Sequence, residues 1–116
     1  MKRLTFTFIF VFASVVLFAQ DITGQWNGIL KTQGIQLRLV FHINKSENGY
    51  TSTMDSPDQN ANGIPVTITT FENPILKLAI TNAGIVYEGT LGQNGTVVGT
   101  FKQGGQSFPL DLIRGV

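Results

Sequence analysis

From Gly24 onward, apolar residues recur at every second position, in runs of six to nine residues that end at Gly, Asn or Pro clusters. The run Ile35 to Ile43 shows it most cleanly. Ile35, Leu37, Leu39, Phe41 and Ile43 share one face, and Gln36, Arg38, Val40 and His42 share the other. An amphipathic helix needs apolar residues three and four apart, whereas a strand with one buried face needs them two apart. The pattern therefore confines this region to short β-strands joined by tight turns. Eight runs qualify: Gly24–Thr32, Ile35–Ile43, Tyr50–Asp55, Ile64–Phe71, Ile75–Ile80, Ile85–Leu91, Thr96–Lys102 and Gln106–Arg114. The separators include Gln33-Gly34, Asn48-Gly49, Glu72-Asn73-Pro74, Asn82-Ala83-Gly84 and Gly104-Gly105, residue types suited to positive φ or to breaking a ladder. Ser56 to Gly63 reads as the longest loop.

Short links between strands impose antiparallel neighbours. About eight such strands are expected to form an all-β, up-and-down barrel, with a two-sheet β-sandwich as the alternative that periodicity alone does not separate. The expected interior residues include Ile35, Leu37, Leu39, Phe41, Leu76, Leu78, Phe101, Phe108, Leu110 and Leu112, with Ile64, Val66 and Ile68 inward on their strand. Gly89 and Gly99 are placed where a tightly curved sheet bends. The chain has no Cys, so core burial and backbone pairing must hold the domain together without a disulfide.

The first twenty residues follow another rule. All 13 glycines lie beyond residue 23, whereas Phe6, Phe8, Phe10, Phe12 and Phe18 crowd the start. Lys2 and Arg3 precede an apolar stretch that ends at Ala19, the pattern of a secretory leader cleaved between Ala19 and Gln20. Residues 1–19 are thus read as signal peptide and 20–116 as one β-domain, exported to the periplasm or the extracellular space. The apolar stretch is shorter than the ~20 residues of a spanning helix, so no stable membrane insertion is expected after cleavage. Loss of Lys2 and Arg3 turns the formal +1 of the whole chain slightly acidic. No basic run remains, which removes the electrostatic footing for nucleic acid.

Gly24-Gln25-Trp26 opens the first strand and Arg114 ends the last. Parity aims both Trp26 and Arg114 inward. In a closed barrel these strands are neighbours, so the guanidinium can stack on the indole and plug one end. This arrangement resembles the calycin group, the lipocalins and fatty-acid-binding proteins, and so implies a small apolar ligand as one possible partner.

A second resemblance covers almost the whole mature chain. Gly24-Gln25-Trp26-Asn27-Gly28, Leu37-Arg38-Leu39-Val40-Phe41-His42-Ile43, Asp55-Ser56-Pro57-Asp58-Gln59, Gly63-Ile64-Pro65-Val66 and Gly99 to Gly105 with Pro109-Leu110 resemble the N-terminal β-domain of exported bacterial α/β-hydrolases of serine-aminopeptidase or esterase type. The resemblance implies a non-catalytic accessory domain whose partner is an α/β-hydrolase domain or another exported protein. The Gly-x-Ser-x-Gly nucleophile elbow of those enzymes is not found in this sequence. The chain is therefore read as the accessory domain without its hydrolase, with no catalytic residue, no cofactor and no metal site.

The remaining candidates are weighed residue by residue. Trp26 and Arg114 are assigned to structural closure. His42, outward by parity and without a Ser, Cys or Asp near it in sequence, is assigned to the surface. Asp55 and Asp58 fall short of the ~6–8 oxygens that Ca²⁺ takes, and are expected to cap backbone N–H groups around Pro57. If the loop Asp55, Ser56, Pro57, Asp58 and Gln59 does more than shape the chain, it serves recognition. Tyr50, Ser52 and Met54 are placed at one mouth of the barrel.

Overall fold

In the computed structural model, which describes residues 21–115, the alternation resolves into nine strands: β1 (Gly24–Thr32), β2 (Ile35–Ser46), β3 (Gly49–Ser56), β4 (Ala61–Pro65), β5 (Ile68–Glu72), β6 (Ile75–Ile80), β7 (Ile85–Leu91), β8 (Thr96–Gln103) and β9 (Gln106–Arg114). They form one antiparallel sheet in the order β4-β3-β2-β1-β9-β8-β7-β6-β5. The sheet curls on itself as a barrel-like wall in which the first strand pairs with the last, Trp26 opposite Arg114 and Asn27 opposite Ile113. The expected leader, residues 1–19, lies outside the described residues. Among those residues, no helix is long and apolar enough to cross a membrane.

The ninth strand arises where one run divides. Ile64 to Phe71 is not a single strand, because its two central amides bond in different directions. Val66 N–H donates back to Ser52 O at 3.0 Å, and Thr67 N–H donates to Ala79 O at 2.7 Å. The chain thus leaves the β3 side of the sheet and joins the β6 side within two residues. Crossing over also shifts the alternation by one. Ile64 and Val66 face the core, but Ile68 is 46% exposed, and Thr69 and Phe71 take the inward positions instead. The expected long loop shrinks to a 3-10 turn, Pro57–Gln59, before β4 begins. A second such turn, Thr81–Ala83, links β6 to β7.

Between β4 and β5 the ladder stays open, and side chains bridge the slot. Ser52 Oγ lies 2.6 Å from Thr69 Oγ1. The Tyr50 and Phe71 rings meet edge to face at 6.4 Å, with Lys45 Nζ 5.2 Å above the Tyr50 ring. Tyr50 and Ser52 therefore do line an opening, although it runs along the wall and Met54 is simply buried.

Trp26, Phe41, Tyr87 and Phe101 converge inside, packed with Leu39, Ile43, Leu76, Leu78, Leu110 and Leu112. Burying each large apolar side chain contributes roughly 1.5–3 kcal/mol. The expected interior set needs correction at its ends. Ile35 is 59% exposed, because β2 runs past the core toward the Gln33-Gly34 turn, and Leu37 and Phe108 are only half-buried.

Tyr87 shows how tightly the wall is wound. Its hydroxyl donates to Leu110 O at 2.8 Å, reaching over the intervening strand β8 to β9. Burial, helped by the charge of Asp111, pushes the phenol above its ordinary value. The ring reaches that position over Gly89 and Gly99, which pair with each other between β7 and β8. A Cβ on Gly99 would stand 2.6 Å from the Tyr87 hydroxyl and also strike Glu88 O. Gly99→Ala should therefore destabilise the domain by roughly 1–3 kcal/mol, as overpacking does. Urea unfolding followed by circular dichroism measures this, and an unchanged midpoint would show that the contact is not tight.

Candidate functional site

Three regions hold the residues singled out by sequence: one end of the barrel, the turn after β3, and the outer wall between them.

At the barrel end, the guanidinium of Arg114 lies 4.3 Å over the Trp26 ring. Arg114 then reaches past the ring to the segment before β1. Nη1 donates to Thr23 O at 2.6 Å and Nη2 donates to Asp21 O. Trp26 Nε1 donates to Ile22 O at 2.8 Å. Ile22, fully buried, is drawn across the opening by these bonds. Asp21 fixes the segment by accepting from Thr23 N–H and Thr23 Oγ1, which holds its carboxyl below the ordinary value, with Arg114 adding to the effect. Gly24 belongs to the same device. Its φ of +122° suits glycine, and a Cβ there would stand 2.9 Å from Arg114 Nη1. The expected closure is in place, though Arg114 itself keeps an exposed flank. Sequence reasoning missed Asp21 and Ile22, which precede the first alternating run.

Arg114→Ala removes a stacked cation and two backbone acceptors' partner at once. It is expected to shift Trp26 emission to longer wavelength and to lower stability by about 1–3 kcal/mol. Steady-state fluorescence and urea midpoints test both effects, and Gly24→Ala should reproduce them in part.

The turn Asp55–Gln59 is built from its own side chains. Asp55 Oδ1 accepts from Gly63 N–H at 2.7 Å, and Asp55 Oδ2 lies 2.9 Å from His42 Nε2. Asp58 accepts from Arg38 N–H at 2.8 Å and receives the guanidinium through Nε and Nη2, the shortest of these contacts being 2.8 Å. Buried Ser56 donates to Gln59 Oε1 at 2.6 Å. Two expectations change here. The aspartates do cap backbone amides, but those of Gly63 and Arg38 rather than those around Pro57. His42 does have an acidic neighbour, thirteen residues away in sequence, because β2 and β3 pair with Val40 opposite Asp55. Among the described residues, no three His, Cys, Asp or Glu side chains gather as metal ligands.

The same bonds hold both carboxyls below the ordinary carboxylate value of 3.8. The Gly63 amide and then His42 act on Asp55, and the Arg38 guanidinium and then its amide act on Asp58. Each contribution is complete above 3.8 and is lost as pH falls through the lowered folded value, the unfolded chain taking up its proton first. Exposure keeps the effect small. Asp55→Asn should therefore flatten the acid limb of a stability–pH curve, read as urea midpoints on either side of that value.

Beside this turn a groove of about 760 Å³ opens on the outside of the barrel. Outward residues of three adjacent strands form its floor: Asn27 and Ile29 from β1, Val40 from β2, and Asp111 and Ile113 from β9. Pro57 rises at one rim, beside Arg38. Ile29 is 52% and Ile113 58% exposed. A second hollow of about 320 Å³, over β7 and β8, also faces outward and includes Val98. Of the recognition loop, the groove thus takes in Pro57, while the other four residues serve mainly to hold the turn. The sequence signal for this wall was present but unread: Ile29, Val98 and Ile113 are aliphatic residues at positions whose parity points to water.

No family model matches the chain, and a search of curated proteins finds no match either.

Proposed function

We propose that this chain is a non-catalytic, exported interaction domain of the kind that precedes an α/β-hydrolase, and that it docks on such an enzyme through its outer β2–β1–β9 wall. The observation that carries this reading is the placement of apolar surface. Aromatic and aliphatic side chains occupy the interior, while Ile29 and Ile113 stand exposed in a groove on the outside. An exposed apolar strip on a rigid scaffold favours a macromolecular partner. The turn Asp55–Gln59 supports the reading because its internal hydrogen bonds preorganise the rim at Pro57, which lowers the ordering cost of binding. The hydrolase as partner rests on the sequence resemblance, and export rests on the leader-like residues 1–19.

The alternative, a calycin-like carrier of a small apolar ligand, draws on Trp26 and Arg114. Both are already engaged with each other and with residues 21–23. A drug-sized ligand needs a pocket of roughly 300 Å³ or more, and the two hollows described both open on the outer wall.

Photocross-linking distinguishes the readings. A benzoylphenylalanine placed at Ile29 or Ile113, in the protein expressed in its own host, should form an adduct containing a fluorophosphonate-reactive serine hydrolase. The same probe at Val86, on β7 outside that groove, should not. Absence of any such hydrolase from the adducts would overturn the proposal. Saturable one-to-one binding of a fluorescent fatty acid would favour the carrier instead.

A further inference from the structure

The outer wall has a charge pattern that specifies what can lie on it. The ladder sets Arg38 beside Ile29 and Val40 beside Asn27. On the other flank Asn27 pairs with Ile113, and continuing that register puts Asp111 level with Ile29. Two successive rows across the wall therefore read Arg38–Ile29–Asp111 and Val40–Asn27–Ile113. The first is positive, apolar, negative. The second is apolar, polar, apolar.

Both rows are complementary to themselves under one symmetry operation. The geometry points to a second copy of this chain as what covers this wall, packed face to face about a two-fold axis running along β1. That axis exchanges the two flanks while keeping each row level. Arg38 meets the second copy's Asp111, Asp111 meets the second copy's Arg38, and Ile29 packs on its counterpart. Val40 faces the second copy's Ile113, and Asn27 faces Asn27, an amide pair able to donate and accept in both directions. One row position farther out, Val98, which pairs with Asp111 on β8 and is 59% exposed, comes toward the second copy's Pro57.

The axis along β1 leaves one like pair, Lys31 facing its counterpart at the next row, whereas the competing two-fold, running across the strands, creates two within the first row. It would set Arg38 against Arg38 and Asp111 against Asp111. The required groups are free to act. Arg38 gives Nε and Nη2 to Asp58 and is 64% exposed at its side chain. Among the described residues, Nη1 meets no acceptor and Asp111 has no ion-pair partner. Asp58 and the second copy's Asp111 would then share one guanidinium, whose five N–H donors suffice for both. An interface of this kind is isologous. It does not depend on the hydrolase reading. Because both partners use one wall, the dimer is the form of the free protein and an enzyme competes for it.

Sedimentation of the purified mature protein tests this. A concentration-dependent monomer–dimer equilibrium is expected, weakened by added salt. Asp111→Lys should weaken it by roughly tenfold or more, since it sets two cations against each other twice over. The chain has no cysteine, so single substitutions report geometry directly. Facing sheets stand ~10 Å apart, so Asn27→Cys should be joined to its counterpart by a short bismaleimide cross-linker, and Val86→Cys should not. A monomer at every concentration would overturn the inference. So would dimerisation unaffected by Asp111→Lys, or a mixture of Asn27→Cys and Lys31→Cys proteins that joins 27 to 31 in preference to 27 to 27. Each of these results leaves the photocross-linking test of hydrolase docking standing on its own.

Discussion

The contact on which the molecule depends is the one between its first and last strands. Trp26 and Arg114 are opposite each other in the β1–β9 ladder, and the guanidinium covers the indole face. Without that junction the sheet would have two further free edges, each with unpaired backbone groups. With it, among the described residues the wall is interrupted between β4 and β5, where Ser52, Thr69, Tyr50 and Phe71 bridge the slot through side chains. The same arginine ties down residues 21 to 23, so a single side chain joins sheet, core and end cap.

Tight curvature and an outward-facing apolar wall are two sides of one solution. The wall is wound so closely that Tyr87 lies flat over β8 to reach Leu110 on β9 and that glycine is required at position 99. Ile29, Val98 and Ile113 take the outward positions of their strands' alternation and stand on the surface. Polar substitutions there would serve an isolated domain better, so their presence carries weight in the proposals for partner and second copy.

Much of the fold was legible because a strand's alternation is a local property. Eight runs were visible, and their ends fell close to the observed ones wherever a glycine turn intervened. The split at Val66-Thr67 was not legible, since it depends on two neighbouring amides finding acceptors far apart in sequence and in different strands, Ser52 and Ala79. For the same reason Ile68 was assigned to the wrong face. The closure by Trp26 and Arg114 could be read because parity and strand order suffice for it. The His42–Asp55 and Arg38–Asp58 pairs could not, as they follow from the β2–β3 register and from the path of the chain after Ser56. Tyr87 escaped notice because nothing local marks a tyrosine whose acceptor lies 23 residues away.

The bonds from Arg114 to Thr23 and Asp21 span 91 and 93 residues. A separation that large has a kinetic meaning. Loop-closure entropy must be met before the contact gives anything back, and a growing chain has no Arg114 to offer until β9 has been made. The hairpins can zip one after another as they emerge, but the seam waits for the final strand. Until β9 emerges the domain remains an unsealed ribbon, and the β1–β9 ladder is the last of its ladders to form.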